Sequence, residues 1–220
     1  MPALFVAGTG TDIGKTYVTA ALVRALLGAG RAANALKPIV SGFDEAAPAG
    51  SDPAVLLKAL GRPATPDALN HISPWRYVAP LAPNQAAALE GRCVDAEAVI
   101  GFCRARIAAD GEALTFIESA GGIMSPLDDE LTMLDLARAL DVPVLLVAGA
   151  YLGTISHTLT AVEVIRAAGL ELCGVVVNED GPSPGLDEAA GEIARRLGAV
   201  PVATLARGAD GAALATYLGM

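Results

Sequence analysis

Gly8-Thr9-Gly10-Thr11-Asp12-Ile13-Gly14-Lys15-Thr16 follows directly on the apolar run Leu4–Ala7 and opens a helical pattern over Lys15–Leu27. Strand, glycine-rich turn and helix in immediate succession form a cradle for phosphate. Glycines let the backbone curl and present consecutive N–H groups, and the helix start adds the positive end of its dipole. In this arrangement Lys15 is expected to reach the β- and γ-phosphates, and the Thr16 hydroxyl to sit on Mg²⁺. The usual spacing would put the first glycine at position 9. Thr9 stands there, and Gly8 comes one residue earlier. Gly-Lys-Thr between a strand and a helix still sets this turn apart from an ordinary glycine turn. The expected nucleotide contacts are Gly10, Thr11, Asp12, Ile13, Gly14, Lys15, Thr16 and Tyr17.

Outward from this loop, short apolar runs alternate with amphipathic ones. Strands are expected at Leu4–Ala7, Ala33–Leu36, Leu114–Ile117, Val142–Val147, Leu172–Val177 and Val200–Ala203. Several are nearly continuous Val, Leu and Ile, as in strands covered on both faces. Helices are expected at Lys15–Leu27, Leu134–Leu140, His157–Ala168 and Leu186–Leu197. The alternation predicts an α/β fold: a single-domain, doubly wound, mostly parallel sheet with helices on both faces, spanning residues 1–220. The stretch from Phe43 to Gly91, rich in Pro and Ala, reads as an irregular excursion with one or two short helices. Trp75 and Tyr77 pack it, and His71 falls in a loop.

Composition narrows the function. With 53% hydrophobic and 18% charged residues, the chain buries much of itself. A net charge of −9 repels nucleic-acid phosphate, so no nucleic-acid partner is expected. Cys93, Cys103 and Cys173 are scattered, which points to reduced thiols and away from a disulfide framework or zinc site. Met1-Pro2-Ala3-Leu4 lacks the basic start of a signal peptide. The uncharged run Val142–Val162 is broken by Pro143, Gly149 and Gly153, and reads as strand, glycine turn and helix start. No membrane partner and a cytoplasmic location are therefore expected.

A phosphate loop implies a nucleotide without fixing a reaction. Ligands of parallel sheets bind beyond the carboxyl ends of the strands, so residues there are the next candidates. Lys37, held by Pro38 after the second strand, faces either solvent or the γ-phosphate, where it would stabilise transferring charge. Asp52, in Ser51-Asp52-Pro53, either caps a helix or binds metal. Glu118 ends its apolar run either as an ordinary acid at a strand end or where an ATPase keeps a second Mg²⁺ group, and Gly121-Gly122 allow close backbone approach. Gly153, Thr154 and Ser156 open a helix whose N–H groups suit a carboxylate, with capping by Thr154 or Ser156 as the alternative. Asn178 either sits in a turn or hydrogen-bonds a base edge. No covalent nucleophile is evident.

Taken in chain order, Gly8 to Thr16, Lys37-Pro38 with Ser41-Gly42, Ser51-Asp52, Pro80 and Pro83 before Glu90-Gly91, Glu118 with Gly121-Gly122, Leu152-Gly153 with His157, and Asn178 form one set. That set resembles the motifs of the dethiobiotin synthetase family, whose fold is P-loop NTPase-like. The resemblance implies ATP-dependent closure of a ureido ring on 7,8-diaminononanoate with CO₂ (or bicarbonate), by way of a carbamate and a carbamic-phosphoric anhydride. The products would be dethiobiotin, ADP and phosphate, made in biotin synthesis by a homodimer with interface active sites. It also implies residue roles. Lys15, Lys37, Thr11 and Ser41 act at the reacting groups, and Thr16, Asp52 and Glu118 serve Mg²⁺. Asn178 reads the base. Lys37, Ser41, Gly121, Gly122, Gly153, Thr154 and Ser156 hold the substrate, the last three at its distant carboxylate from the partner subunit.

Two other classes compete. A partition-type switch ATPase controlling dimerisation shares such a loop, but commonly carries a second lysine at its start, which Gly8-Thr9-Gly10 lacks. An amidotransferase-type synthetase needs a glutaminase domain, for which 220 residues leave no room.

Overall fold

The computed structural model describes residues 3–179 and 185–220. Met1 and Pro2, part of the N-terminal stretch read above, lie outside the described residues. The chain runs β1 (Ala3–Gly8), α1 (Lys15–Gly28), β2 (Ala33–Leu36), β3 (Ile39–Ser41), α2 (Asp52–Ala59), α3 (Pro66–Ile72), β4 (Trp75–Tyr77), α4 (Pro83–Leu89) and α5 (Ala96–Ala109). It continues β5 (Leu114–Glu118), α6 (Met133–Leu140), β6 (Val144–Gly149), α7 (Thr154–Ala167), β7 (Leu172–Asn178), α8 (Leu186–Leu197), β8 (Val202–Leu205) and α9 (Ala212–Tyr217).

Six strands form one parallel sheet in the order β2-β5-β1-β6-β7-β8, with helices packed around it. Every residue of β1, β5 and β6 is buried, which explains the unbroken apolar sequences of β1 and β6 and the largely apolar one of β5. From β1 the chain moves out to β2, returns as β5 beside β1, then crosses to β6, β7 and β8. This reversal leaves a crevice at the carboxyl ends of β1 and β5, where ligands of such sheets bind.

The strand positions hold, with shifts that have a physical cause. The expected Val142–Val147 and Val200–Ala203 both start two residues later. Pro143 and Pro201 have no N–H for the ladder and contribute only carbonyls, to Phe5 and Val175 respectively. The helix expected from His157 begins at Thr154, because Gly153 adopts φ 100° and turns the chain there. Val142–Val162 is strand, turn and helix as read, and among the described residues no helix is long and apolar enough to cross a membrane.

The excursion is more ordered than its composition suggests. It holds α2, α3 and α4, and β3 pairs in parallel with β4 in a separate two-stranded sheet. His71 lies in the last turn of α3 and not in a loop. Trp75 packs edge-on against Phe102, and Tyr77 is fully buried beneath Arg92. Helix α5 carries no strong apolar stripe and was not expected. Asp95 starts it by accepting from the Ala98 N–H.

Candidate active site

The β1–α1 turn is held from both sides. Ser119 N–H donates to the Val6 carbonyl and Ile123 N–H to the Gly8 carbonyl, so the β5 loop packs onto the phosphate loop. Gly14, at φ 87°, is the N-cap of α1, and no side chain caps that helix. The uncapped first turn therefore faces the crevice with its N–H groups and dipole.

Beside it lies a cavity of about 670 Å³. Thr11, Asp12, Gly14, Lys15, Thr16, Lys37, Ser41, Asp52 and Gly121 all line it, although they come from four separate stretches of sequence. Lys15 is buried and donates to the Gly10 carbonyl at 2.9 Å. Burial, and then the nearby Lys37 ammonium, lowers its pKa to about 8.

Lys37 is buried, not solvated. Its ammonium donates to Glu118 Oε1 at 2.7 Å and to the Ser119 carbonyl at 2.9 Å, and pairs with Asp52 Oδ2 at 3.1 Å. Burial alone would lower its pKa, but Glu118 and Asp52 outweigh burial and hold it above the ordinary lysine value. Asp52 responds in the opposite sense. Burial pushes its carboxyl up, yet Lys37 and a Thr16 hydrogen bond bring it net below the ordinary value. The Thr16 hydroxyl donates to Glu118 Oε1 at 2.6 Å. Glu118 Oε2 is buried with no protein partner, and the Ser41 hydroxyl is likewise unpartnered.

The choice left open at Asp52 resolves locally. Ser51 is the N-cap of α2, accepting from Ala54 N–H, and Asp52 is the first helical residue. Its carboxylate is therefore free to turn toward Lys37.

A second cavity, about 280 Å³, lies across the loop and shares Asp12 and Gly14 with the first. Asn178, Tyr17, Glu179 and Arg207 complete it. Buried Asn178 donates through Nδ2 to the Ile13 carbonyl, which leaves Oδ1 as an acceptor without a protein partner. The Tyr17 hydroxyl accepts from Gly208 N–H at 2.8 Å and ties the C-terminal loop to α1.

Not every expected residue reaches the large cavity. Gly122 lies behind Gly121, its N–H taken by Ser125 Oγ. Gly153, Thr154 and Ser156 do not line it. The Thr154 hydroxyl is spent on the Gly149 carbonyl, and neither Thr154 nor Ser156 caps α7, whose N-cap is Gly153. Leu81 and Ser125 also line the cavity. Leu81 lies between Pro80 and Pro83, whose bracketing was the available signal. For Ser125 the sequence offers none.

A triphosphate-sized crevice, an uncapped helix start and a lysine–threonine pair at the end of a central parallel strand define a phosphate-loop nucleotide-binding protein. A family model described as an AAA domain (AAA_26) matches residues 2–207. The solved structure of a ParA family ATPase from Chlorobium tepidum is similar in fold. Its TM-score is 0.53 at 16% identity, over 99% of this chain and 89% of that one. Chloroplast FtsY from Physcomitrella patens gives 0.52 at 17%, over 98% and 64%. Sequence relatives are far nearer. The ATP-dependent dethiobiotin synthetase BioD of Caulobacter vibrioides is 54% identical over 191 residues, 87% of this chain and 86% of the relative. That of Caulobacter sp. (strain K31) is 50% identical over 220 residues, 99% and 94%. That of Methylobacterium nodulans is 47% identical over 212 residues, 94% of each. The chain belongs to the ATP-dependent dethiobiotin synthetase family, and is an enzyme of the ligase class.

Proposed function

We propose that the protein closes a ureido ring on 7,8-diaminononanoate with CO₂ and ATP, giving dethiobiotin, ADP and phosphate. The observation that carries this reading is the meeting of Lys15, Lys37, Thr16 and Asp52 at one cavity, with buried Glu118 bonded to both Thr16 and Lys37. One amine adds to CO₂ and loses a proton, forming a carbamate. A carbamate oxygen then takes the γ-phosphoryl group, and ADP leaves. The second amine attacks the carbonyl carbon of the mixed anhydride, and phosphate leaves as the ring closes. The nucleophiles belong to the substrate, so the protein's part is to position groups and stabilise charge.

The two lysines suit the transferring phosphoryl group and the carbamate, and Thr11 and the unpartnered Ser41 hydroxyl suit the reacting groups. Asn178 Oδ1, an acceptor fixed by its partner nitrogen, suits an amino-bearing base such as adenine. Among the described residues no group of three or more His, Cys, Asp or Glu is placed to hold a metal ion. Mg²⁺ does not require one, since it takes one or two carboxylates and fills its shell with phosphate and water. Thr16, Asp52 and Glu118 are hard oxygen donors of that kind, and the orphaned Glu118 Oε2 marks an unused acceptor among them. When bound, Mg²⁺ would neutralise charge on the β- and γ-phosphates.

We further read the whole chain as one working unit in a cytoplasmic homodimer. Gly153, Thr154 and Ser156 lie outside the chain's own cavity, so a partner subunit is the route by which they would reach a substrate tail. Fully exposed Leu152 beside them suits an interface. The test is phosphate release from MgATP and bicarbonate, with and without the diamine, followed by product mass. The expected result is diamine-dependent release with the mass of dethiobiotin. Release indifferent to the diamine would overturn the reading in favour of a switch ATPase.

A further inference from the structure

We propose that in the nucleotide-free protein the Lys37 ammonium is itself the occupant of the divalent-cation site, so that the metal enters only together with a polyphosphate, in exchange for this lysine. The inference rests on the assignment of Thr16, Asp52 and Glu118 to the metal.

An ammonium has three N–H donors, and here three oxygens receive them: Glu118 Oε1, the Ser119 carbonyl and Asp52 Oδ2. Two of these belong to the carboxylates assigned to the cation. The third assigned group, the Thr16 hydroxyl, shares Glu118 Oε1 with the lysine. Lys37 thus stands inside the oxygen set, and its positive charge offsets two acids that would otherwise repel each other. A divalent ion at the same oxygens would repel an ammonium at hydrogen-bond distance, so the two cations compete for the set.

The displaced lysine needs somewhere to go. Lys37 lines the large cavity together with Lys15, so a triphosphate seated on the β1–α1 turn offers its Nζ new acceptor oxygens. Glu118 Oε2 gives the second, independent sign. It is buried and unpartnered, an acceptor that three donors on one ammonium leave unused and that a cation with more coordination positions can take. The exchange would deliver Lys37 to the transferring phosphoryl group only once metal and nucleotide are both in place.

The experiment follows Mn²⁺ binding by electron paramagnetic resonance, with thermal melts of the same samples. It uses the full chain as wild type, Lys37→Met, Lys37→Gln and Lys37→Arg, with and without a non-hydrolysable ATP analogue. Without nucleotide, wild type and Lys37→Arg should bind Mn²⁺ poorly. Lys37→Met should bind it about tenfold tighter or more, since one unit charge has gone from hydrogen-bond distance. Mn²⁺ should raise the melting temperature of Lys37→Met and leave that of wild type unchanged. Lys37→Gln serves the same purpose if Lys37→Met does not fold. With the analogue, wild type should bind Mn²⁺ well. Equal nucleotide-free affinity in wild type and the neutral variants would overturn the exchange. Failure of wild type to bind Mn²⁺ even with the analogue would instead remove the metal assignment beneath it.

Discussion

Two turns in this molecule are built alike and furnished differently. Both β1–α1 and β6–α7 join a fully buried strand to a helix through a glycine N-cap with positive φ, Gly14 at 87° and Gly153 at 100°. Neither helix has a side-chain cap or an acid in its first turn. Each therefore presents free N–H groups and the positive end of its dipole. Beside Gly14 stand Lys15 and Thr16 of α1 itself, joined by Lys37 from the end of β2, Asp52 from α2 and Glu118 from β5. Residues 150–160 around Gly153 carry no Lys, Arg, Asp or Glu, and Leu152 is fully exposed. The two helix starts are alike, and what sets them apart is the charged side chains that distant elements deliver to one and not to the other.

The largest expected effect attacks the charged turn directly. Lys15→Met should cut turnover about a hundredfold or more, the scale for losing a group aimed at developing charge. It should also stabilise the ligand-free protein. In the folded chain Lys15 has a pKa of about 8, against 10.5 for an ordinary lysine. Below pH 8 both folded and unfolded chains hold the proton, and the full cost of charging a buried lysine is present. Between pH 8 and 10.5 only the unfolded chain holds it, so stability rises across that window, by about 3 kcal/mol at most. Removing the group should raise stability at pH 7 by about 2 kcal/mol, after loss of the Gly10 hydrogen bond, and flatten the rise. Urea unfolding at pH 7 and pH 9.5 measures both. A variant less stable than wild type at pH 7 would show that Lys15 supports the fold.

How much of this was legible in the sequence follows the same division. β1, β5 and β6 read clearly because both faces are buried and nearly every position is apolar. The phosphate loop read clearly because its partners are sequence neighbours. Three-residue β3 and β4 did not, since Val40 and Arg76 pair only after the excursion folds back. Likewise, Lys37 at a strand end was readable as a position, but not its grip on Glu118, 81 residues away. The sequence left Thr154 between capping and a substrate contact, and only the turn geometry directs its hydroxyl onto Gly149.

The two glycines themselves give the next test. Alanine at φ near 90° costs about 1–2 kcal/mol from clash with the following carbonyl. Gly153→Ala should show that cost alone, because its Cβ would meet nothing nearer than His157 Cε1 at 3.8 Å. In Gly14→Ala the new Cβ would land on Asn178 Nδ2. This variant should lose more stability and also bind ATP more weakly, through a displaced Asn178. Titration calorimetry with the ATP analogue reads the difference. Equal stability losses with unchanged nucleotide affinity in both variants would mean that the charged turn is not coupled to the second cavity.

The smallest effect concerns α2, a helix that starts in the ordinary capped way and so marks the boundary of the comparison. Ser51 accepts from Ala54 N–H at 3.4 Å, a long bond, and its own hydroxyl donates to Pro48. Ser51→Ala should cost about 1 kcal/mol. In a chain of this size that lowers the melting temperature by about 2–4 °C. Its Mg²⁺ requirement should not change, because Asp52 keeps its place beside Lys37. Asp52→Asn should do the reverse. The half-exposed Asp52 carboxylate adds little to stability at its pair with Lys37, while its loss should raise the Mg²⁺ concentration needed for half-maximal turnover. Because Lys37 holds the Asp52 pKa below its ordinary value, wild type should keep this Mg²⁺ dependence into mildly acidic buffer. If Asp52→Asn melts lower and titrates Mg²⁺ as wild type does, the residue belongs to the helix start and the charged turn is smaller by one carboxylate.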